Sequence, residues 1–452
     1  MSRRCQGRTI MKRILVVLFL AFLMGTSMDA QTPKVTERRL TNGLKLLLQE
    51  DHSVPSICYT TYFKVGSRNE RPGITGLSHL FEHMMFNGSA KYPPTVFDKI
   101  IEAGGGYSNA STWNDFTDYW EEFNPGTLDK VLNLEADRMR ALRLVKENIE
   151  QERGIVMEER RLSVDNDVTS KMMEDLYAGA FIASMYHSPV IGWMKDIANI
   201  TLDDAKDYFK TYYAPNNAIV IVTGDFTTDR MIAAIEKAYD DIGAQAPPRK
   251  VIDAEPAQEG EKRLELHKVA ELPAVAVAYK SVAANDSDFY PLEILSTILS
   301  HGESSRLYRT LIYDEQIAAE VSASVDEYID PGLFTFYVQM RPGKTTAQAE
   351  GEVYAILDDI QKNGVSADEL QKAKNIAQAN YIRRLETNQG RGFLLGFYEV
   401  VHGDYDLMFD VLKKIESAKR DDVQRVARKY FNDRSRTVVT LVPEKTEATE
   451  SR

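Results

Sequence analysis

The sequence predicts an α+β chain built from two homologous α/β-sandwich domains, each a mixed sheet with helices packed against it. Three observations support this fold class. Strand and helix patterns mix without a regular βαβ alternation, a polar segment rich in Pro and Ala divides the chain near its middle, and similar segments end the two halves. Together these features indicate an internal duplication.

Short β-rich runs and long helical periodicities occur in both halves. The runs that predict strands are Leu44–Leu48, Ser56–Val65, Ala274–Tyr279 and Gly332–Gln339. The helical patterns cover Leu128–Val164 and Ala347–Leu385. The mixture is typical of a sheet whose strands are joined both by hairpins and by helical connections.

The duplication is clearest where the two halves end. Residues 196–225 and 414–444 both show a helical pattern, a short polar turn and a β-rich run. An offset of 218 residues pairs Tyr212 with Tyr430 and Val220 with Val438. The alternative is a chance likeness, because helix–turn–strand units are common.

The N-terminal segment has the pattern of a secretory signal peptide. Lys12 and Arg13 precede an apolar run, Ile14–Met24, which is too short to span a bilayer comfortably. We therefore expect a signal peptide at residues 1–30, export across the inner membrane to the periplasm, and no membrane span after its removal. An uncleaved anchor is the alternative.

The remaining boundaries are predicted as an N-terminal domain at 33–242, a linker at 243–262 and a C-terminal domain at 263–445.

Charge and cysteine content exclude some classes of protein. The net charge of the 452-residue chain is −12, which argues against nucleic-acid binding. The two cysteines are Cys5 and Cys58, and Cys5 lies before the apolar run, within the predicted signal peptide. The exported protein would retain Cys58 alone, so it would contain no internal disulfide.

The segment GLSHLFEHMMFNG, residues 76–88, carries the most specific chemistry. On a helix, His79 and His83 lie on one face at positions i and i+4, and Glu82 shares that face. Two imidazoles at this spacing can bind one zinc ion, and the carboxylate can reach a water on that ion. The alternative is a helix with two hydrogen-bonded histidines.

A catalytic zinc site needs a third protein ligand. Glu152 and Glu159 lie seven residues apart on a helical pattern that also contains the apolar Ile155 and Val156. A buried glutamate on this face would need a metal ion or a histidine as its partner. A solvated charged helix face is the alternative.

These two motifs resemble those of the pitrilysin (insulinase) family of zinc peptidases, the inverzincins, in which H-x-x-E-H is followed about 76 residues later by a glutamate ligand. His83 and Glu159 are 76 residues apart here. The resemblance implies one Zn²⁺ per chain, with His79, His83 and Glu159 as ligands and Glu82 as the general base for a zinc-bound water. It implies that Glu152 orients a ligand histidine.

A third matching segment is GGGYSNASTWNDFTDYW, residues 104–120. It is similar to the family's Gly-rich turn and edge strand, which pairs with the substrate backbone. The resemblance implies that Asn109, Ala110, Ser111 and Thr112 bind substrate. An ordinary hairpin is the alternative reading of these residues.

The second half lacks the zinc motif and departs from the family in another way. Many members carry an arginine and a tyrosine there that bind substrate, whereas Ile312 and Ala319 stand at those positions here; Arg306 and Tyr308 lie nearby. Two-domain members such as the mitochondrial processing peptidase, whose catalytic subunit this chain resembles, pair with a metal-free homologue. We therefore expect a heterodimer with a homologue that carries the Arg/Tyr pair; a homodimer is the alternative.

The resemblance implies a periplasmic zinc endopeptidase that hydrolyses peptides or unfolded segments, bound as an added β-strand in an enclosed chamber. A non-catalytic structural or chaperone-like subunit is the alternative from another class. The intact motif at residues 79–83 argues against it. A zinc hydrolase for a substrate other than peptide is a third possibility.

Overall fold

The computed structural model describes residues 34–252 and 255–444. The predicted signal peptide at residues 1–30 lies outside this part of the chain. Within it, no helix combines the length and the apolar character that a membrane span requires.

The first half forms a six-stranded sheet. Its strands are β1 (Thr36–Arg39), β2 (Lys45–Glu50), β3 (Ile57–Phe63), β4 (Tyr107–Thr112), β5 (Thr117–Phe123) and β6 (Ala218–Gly224). Their order is β1-β2-β6-β3-β5-β4, with β2 and β6 parallel and the other pairs antiparallel. The central strands β3 and β6 are buried over their whole length, while β4 lies at one edge of the sheet.

Eight helices accompany this sheet in the described first half. They are α1 (Leu77–Met84), α2 (Val96–Ala103), α3 (Leu128–Ala141), α4 (Lys146–Arg160), α5 (Val168–Ala180), α6 (Met194–Asn199), α7 (Leu202–Tyr212) and α8 (Thr228–Tyr239). One continuous hydrophobic core joins the sheet to helices α1, α3, α4, α7 and α8.

The second half repeats this topology. Its strands are β7 (Lys262–Val269), β8 (Ala274–Lys280), β9 (Ala318–Val325), β10 (Leu333–Met340) and β11 (Arg436–Glu444), in the order β7-β11-β8-β10-β9. Its helices are α9 (Phe289–Ser300), α10 (Thr346–Asn363), α11 (Ala367–Arg384), α12 (Asn388–Phe397), α13 (Val411–Ser417) and α14 (Arg420–Tyr430).

Strand order and strand sense agree between the two sheets. The parallel pair β2–β6 corresponds to β7–β11, and the antiparallel strands β3, β5 and β4 correspond to β8, β10 and β9. The offset of 218 residues superposes the bounds of α7 on those of α14. The predicted α+β class, with two homologous sandwiches related by duplication, is confirmed.

Each long helical pattern is divided into two helices. The first breaks after α3, where Leu142 is extended (φ −57°, ψ 140°) and forms an isolated β-bridge with Ser89. The second breaks at Gly364 (φ 75°), after which Ser366 caps α11 by accepting the backbone N–H of Glu369. A left-handed glycine and a capping serine end and restart helices efficiently.

The two halves exchange helices. Helix α5 precedes the predicted linker but packs on β7, β8 and β11, where its Met172, Leu176 and Ala180 join the buried cluster on the second sheet. Helix α12 follows the linker but packs on β3 and β6 of the first sheet. Each sheet is therefore covered on one face by a helix from the other half. The domain boundaries at 33–242 and 263–445 remain predictions.

The close contact between α12 and the first sheet requires a glycine at position 396. A Cβ atom at Gly396 would lie 2.1 Å from a ring carbon of Tyr62, which is fully buried. The Tyr62 hydroxyl also donates to the Phe393 carbonyl at 3.0 Å. The Tyr62 ring therefore cannot move away from an added methyl group without losing this packing and this hydrogen bond.

We expect Gly396→Ala to destabilise the protein by about 1–3 kcal/mol, because an added methyl group would overpack this contact. The matched control is Gly351→Ala in α10, where a Cβ meets no atom within 4 Å. That change should be neutral or stabilising by up to about 1 kcal/mol. Urea unfolding followed by circular dichroism measures both, and equal effects of the two substitutions would contradict the proposed contact.

Candidate metal centre

The metal-site motif lies on α1, which is buried along one side and polar along the other. Leu77, Leu80, Phe81 and Met84 are buried in the core of the first half. His79, Glu82 and His83 are partly exposed on the remaining face. The predicted common face of these three side chains is therefore present in the structure.

The start of α1 packs directly on a distant loop. Gly76, with φ +87°, precedes the helix, and a Cβ there would lie 2.3 Å from the carbonyl oxygen of Ile191. Gly192 is restricted in the same way, because its Cβ would meet Gly76 and the Thr75 carbonyl. Only glycine satisfies both the left-handed backbone and the close approach.

Glu70 supports this helix start and was missed by the sequence analysis. Its buried carboxylate accepts the backbone N–H groups of Gly76 at 2.8 Å and Ser78 at 2.6 Å, which would otherwise be unpaired at a helix N-terminus. Ser78 also exchanges a hydrogen bond with the Tyr208 hydroxyl at 2.6 Å. The only sequence signal was a carboxylate six residues before a glycine at the helix start.

Helix α4 carries both predicted glutamates and packs against α1. The Glu159 carboxylate lies 3.7 Å from His79 Nε2 and 3.4 Å from His83 Nε2. Among the residues described, these three side chains form the group of His, Cys, Asp and Glu that could hold a metal ion, with one donor atom each within 4.8 Å of the others. The structure thus brings together residues separated by 76 positions.

Glu152 holds the ring of His83. It is buried, and its Oε2 accepts a hydrogen bond from His83 Nδ1 at 3.3 Å. That bond lowers the pKa of Glu152. Burial lowers the pKa of His83, but the bond to Glu152 and the nearby carboxylates outweigh burial and raise it. A proton on Nδ1 leaves the lone pair of Nε2 free for a metal ion.

The electrostatic environment of His79 is different from that of His83. Burial and the neighbouring His83 lower its pKa to about 4, so the ring is neutral near pH 7. Its Nδ1 has no hydrogen-bond partner among the described residues. Neutral imidazole is the form that binds metal ions.

Glu82 lies beside this group and bonds to the edge strand. Its Oε2 accepts a hydrogen bond from the Thr112 hydroxyl at 2.6 Å. Burial raises the pKa of Glu82, and the bond from Thr112 acts in the opposite direction. A carboxylate with a raised pKa is a better proton acceptor near neutral pH than an exposed one.

The four residues predicted to bind substrate all lie on the edge strand β4, but in different environments. Asn109 is exposed, whereas Ala110 is buried. Ser111 donates to Asp118 at 2.5 Å and accepts from Trp113 Nε1 at 2.9 Å, so its hydroxyl is engaged within the protein. Thr112 contacts Glu82, a role that the sequence did not reveal.

Arg306 does not substitute for the missing arginine. It bonds to Glu369 at 2.7 Å and to Asp359 at 2.8 Å, and so joins helices α10 and α11. These ion pairs give Arg306 a structural role in the second half.

The donor set fits a zinc ion. Zinc binds imidazole nitrogen and carboxylate oxygen at about 2.0–2.2 Å in a tetrahedron, so its ligand atoms lie about 3.4 Å apart. The separations of 3.4 and 3.7 Å between Glu159 and the two histidines match that geometry. The Glu159 side chain is 42% exposed, which leaves one side of the group open to solvent.

Comparison with protein families agrees with this geometry. Residues 45–192 match the model described as Insulinase (Peptidase family M16), and residues 199–377 match the one described as Peptidase M16 inactive domain. The chain belongs to peptidase family M16. The first match contains the metal-site residues, and the second covers most of the half without them.

Relatives of known name extend the comparison. The chain is 32% identical to the zinc protease PqqE of Helicobacter pylori, over 94% of this chain and 97% of that protein. A crystal structure of a protease from Helicobacter pylori has a TM-score of 0.88 at 32% identity, covering 91% of this chain and all of that chain. The periplasmic protease PqqL from Escherichia coli has a TM-score of 0.76 at 18% identity, covering 92% of this chain and 48% of that one, and supports the fold alone.

We expect three glutamates of α4 to differ sharply in their effect on zinc binding. Glu159→Gln should abolish stoichiometric zinc, because a neutral amide is a poor ligand, and Glu152→Gln should weaken zinc binding by about 10–100-fold. Glu158→Gln is the control, since Glu158 is exposed and forms its ion pair with Arg161 on the surface. Zinc content after dialysis against a chelator series measures each variant. Equal zinc retention by Glu159→Gln and Glu158→Gln would contradict the ligand assignment.

Proposed function

We propose that this chain is a zinc-dependent endopeptidase. The observation that carries the proposal is the convergence of His79, His83 and Glu159 beside the carboxylate of Glu82. The family relationship supports the same reaction class. A non-catalytic subunit is less well supported, because such a role requires neither a complete donor set nor a carboxylate placed beside it.

A zinc ion held by these three residues would polarise a peptide carbonyl and make water acidic enough to lose a proton near neutral pH. Glu82 would accept that proton and later deliver it to the leaving amine. Thr112 would orient Glu82, since its hydroxyl occupies one carboxylate oxygen and leaves the other available. Glu152 would keep the proton of His83 on Nδ1 throughout.

Substrate would bind as an added strand along β4. This strand pairs only with β5 in the described structure, so the backbone groups of its other edge are open. Main-chain pairing gives affinity with little sequence demand. It brings the substrate backbone next to Thr112 and Glu82, and it favours extended peptides and unfolded segments over folded proteins.

We further propose that the enzyme acts in the periplasm and pairs with a metal-free homologue in an enclosed chamber. The signal-like pattern at residues 1–30 supports export. Replacement of the family's Arg/Tyr pair by Ile312 and Ala319 supports a partner that supplies those groups.

Glu82→Gln should abolish peptide hydrolysis while the zinc content stays at the wild-type level, because the amide cannot accept the proton. The chain is purified from its native host with any subunit that accompanies it, and a quenched fluorescent peptide library measures hydrolysis. A drop in kcat of at least a hundredfold is expected. Wild-type activity in a zinc-loaded variant would contradict the assignment of the base.

The mature chain expressed alone should not form a stable, active homodimer. Light scattering coupled to size-exclusion chromatography gives its mass, and the same fractions are assayed for hydrolysis. Activity should appear when a homologue with the Arg/Tyr pair is added. A homodimer that cleaves peptides without any partner would contradict the heterodimer.

A further inference from the structure

The half without the metal site contains a cavity of about 350 Å³ in the corresponding place. Helix α9 follows β8 and packs against α11, as α1 follows β3 and packs against α4. Glu293, Ser296 and Thr297 line the cavity from α9. Their i, i+3, i+4 spacing is that of His79, Glu82 and His83 on α1.

The facing helix extends the correspondence. Aligning residues 369–380 with 148–159 places Asn380 opposite Glu159. Asn380 also lines the cavity, together with Arg384 from the same helix. The second half therefore has a cavity between the two corresponding helices, and the four residues named there differ from the metal-site residues at the matching positions.

Glu293 is the feature that suggests a ligand. Its carboxylate makes no hydrogen bond or ion pair with any described residue. Burial raises the pKa of Glu293 to about 8, the charge of Glu327 acts in the same direction, and the charge of Arg384 opposes them. Glu327 is itself engaged, because it accepts a hydrogen bond from His402 Nε2 at 2.8 Å. Glu293 is therefore mostly the neutral acid near pH 7, and its ionised form is costly in these surroundings unless a cation binds it.

One margin of the cavity lies near the end of the edge strand β4. Trp113 directly follows Thr112, which bonds to Glu82, and its side chain is 45% exposed. The Trp113 ring lies 6.4 Å from that of Phe393, and the Arg384 guanidinium lies 5.8 Å from the Phe393 ring. An extended peptide advances about 3.3 Å per residue, so several residues of substrate are long enough to reach from Trp113 to Arg384.

We propose that this cavity binds the cationic side chain of a lysine or arginine in the peptide substrate, several residues from the bond that is cleaved. The ammonium or guanidinium group would pair with Glu293, and the side-chain hydroxyls of Ser296 and Thr297 would offer further acceptors. The aromatic walls, which include Tyr290 and Tyr381, suit the aliphatic stem of such a side chain. This inference rests on the proposed peptidase function and adds a substrate class to it.

Two matched series of quenched fluorescent peptides test the proposal. The two peptides of a pair differ at one position, which carries lysine in one peptide and the neutral norleucine in the other. Successive pairs place this position at each residue of the peptide in turn. At one position, several residues from the cleaved bond, wild type should show a KM for lysine lower by on the order of tenfold. In Glu293→Gln the ratio of the two KM values should fall to about one.

Glu303→Gln is the matched control. It makes the same substitution at an exposed residue just beyond α9 that does not line the cavity, so it should preserve the lysine preference. Glu293→Gln should be at least as stable as wild type to urea, because it removes an unpaired buried acid. Loss of the preference in both variants would show a general charge effect and would overturn the site.

A binding measurement separates this inference from the proposed function. Fluorescence anisotropy measures the Kd of the lysine and norleucine peptides for the zinc-loaded Glu82→Gln variant, which should not cleave them. The same two Kd values are then measured for the double variant that also carries Glu293→Gln. Cleavage of both peptides with equal KM at every position would overturn the cavity as a cation site while leaving the peptidase intact. Preferential binding of the lysine peptide without any hydrolysis by wild type would retain the site and overturn the peptidase.

Discussion

The geometry of the metal centre depends on the bond between Glu152 and His83. Glu152 is buried on α4, and the pair it forms with His83 balances its charge. Breaking a buried pair costs several kcal/mol, so this contact sets the axial register between α4 and α1. Glu159 lies seven residues further along α4, which is about two helical turns. Once the register is set, its carboxylate falls beside both Nε2 atoms.

The second half of the chain supports that register, although it contributes no ligand. Arg160, next to Glu159, donates to Glu174 on α5 at 2.7 Å and to the Gly192 carbonyl at 2.8 Å. Helix α5 in turn packs on the second sheet through its buried residues. The C-terminal end of α4 is therefore tied both to the loop that holds the start of α1 and to the other half. Exchange of α5 and α12 explains why two sandwiches that are homologous in topology act as one structural unit.

Sequence analysis predicted the features that have a local pattern. Period-two and period-3.6 patterns predicted β3, β8 and the helical character of the two long segments, but not the break that divides each segment into two helices. The spacing of His79, Glu82 and His83 predicted their common face. It could not predict contacts that depend on tertiary structure. The bond from Thr112 to Glu82 requires the register of β4 against α1, and the cap from Glu70 requires the approach of the loop at Gly192. The local sequence pattern also does not predict the exchange of α5 and α12, because the apolar face of an amphipathic helix does not indicate which sheet the helix covers.

The fate of the second half follows from what duplication preserves. Two copies of a helix pair against a sheet create two equivalent sites between helices, and among the described residues the donor set for a metal ion lies in the first of them. A cavity that had lost all function could be filled by larger apolar side chains, which would remove the cost of an unpaired carboxylate and gain packing energy. Here the cavity has polar groups at the positions that match the metal-site residues, and Arg384 at its margin stacks on Phe393, whose ring in turn lies near Trp113 at the end of β4. An unfilled polar cavity near the end of β4 is more consistent with a binding role than with a structural remnant.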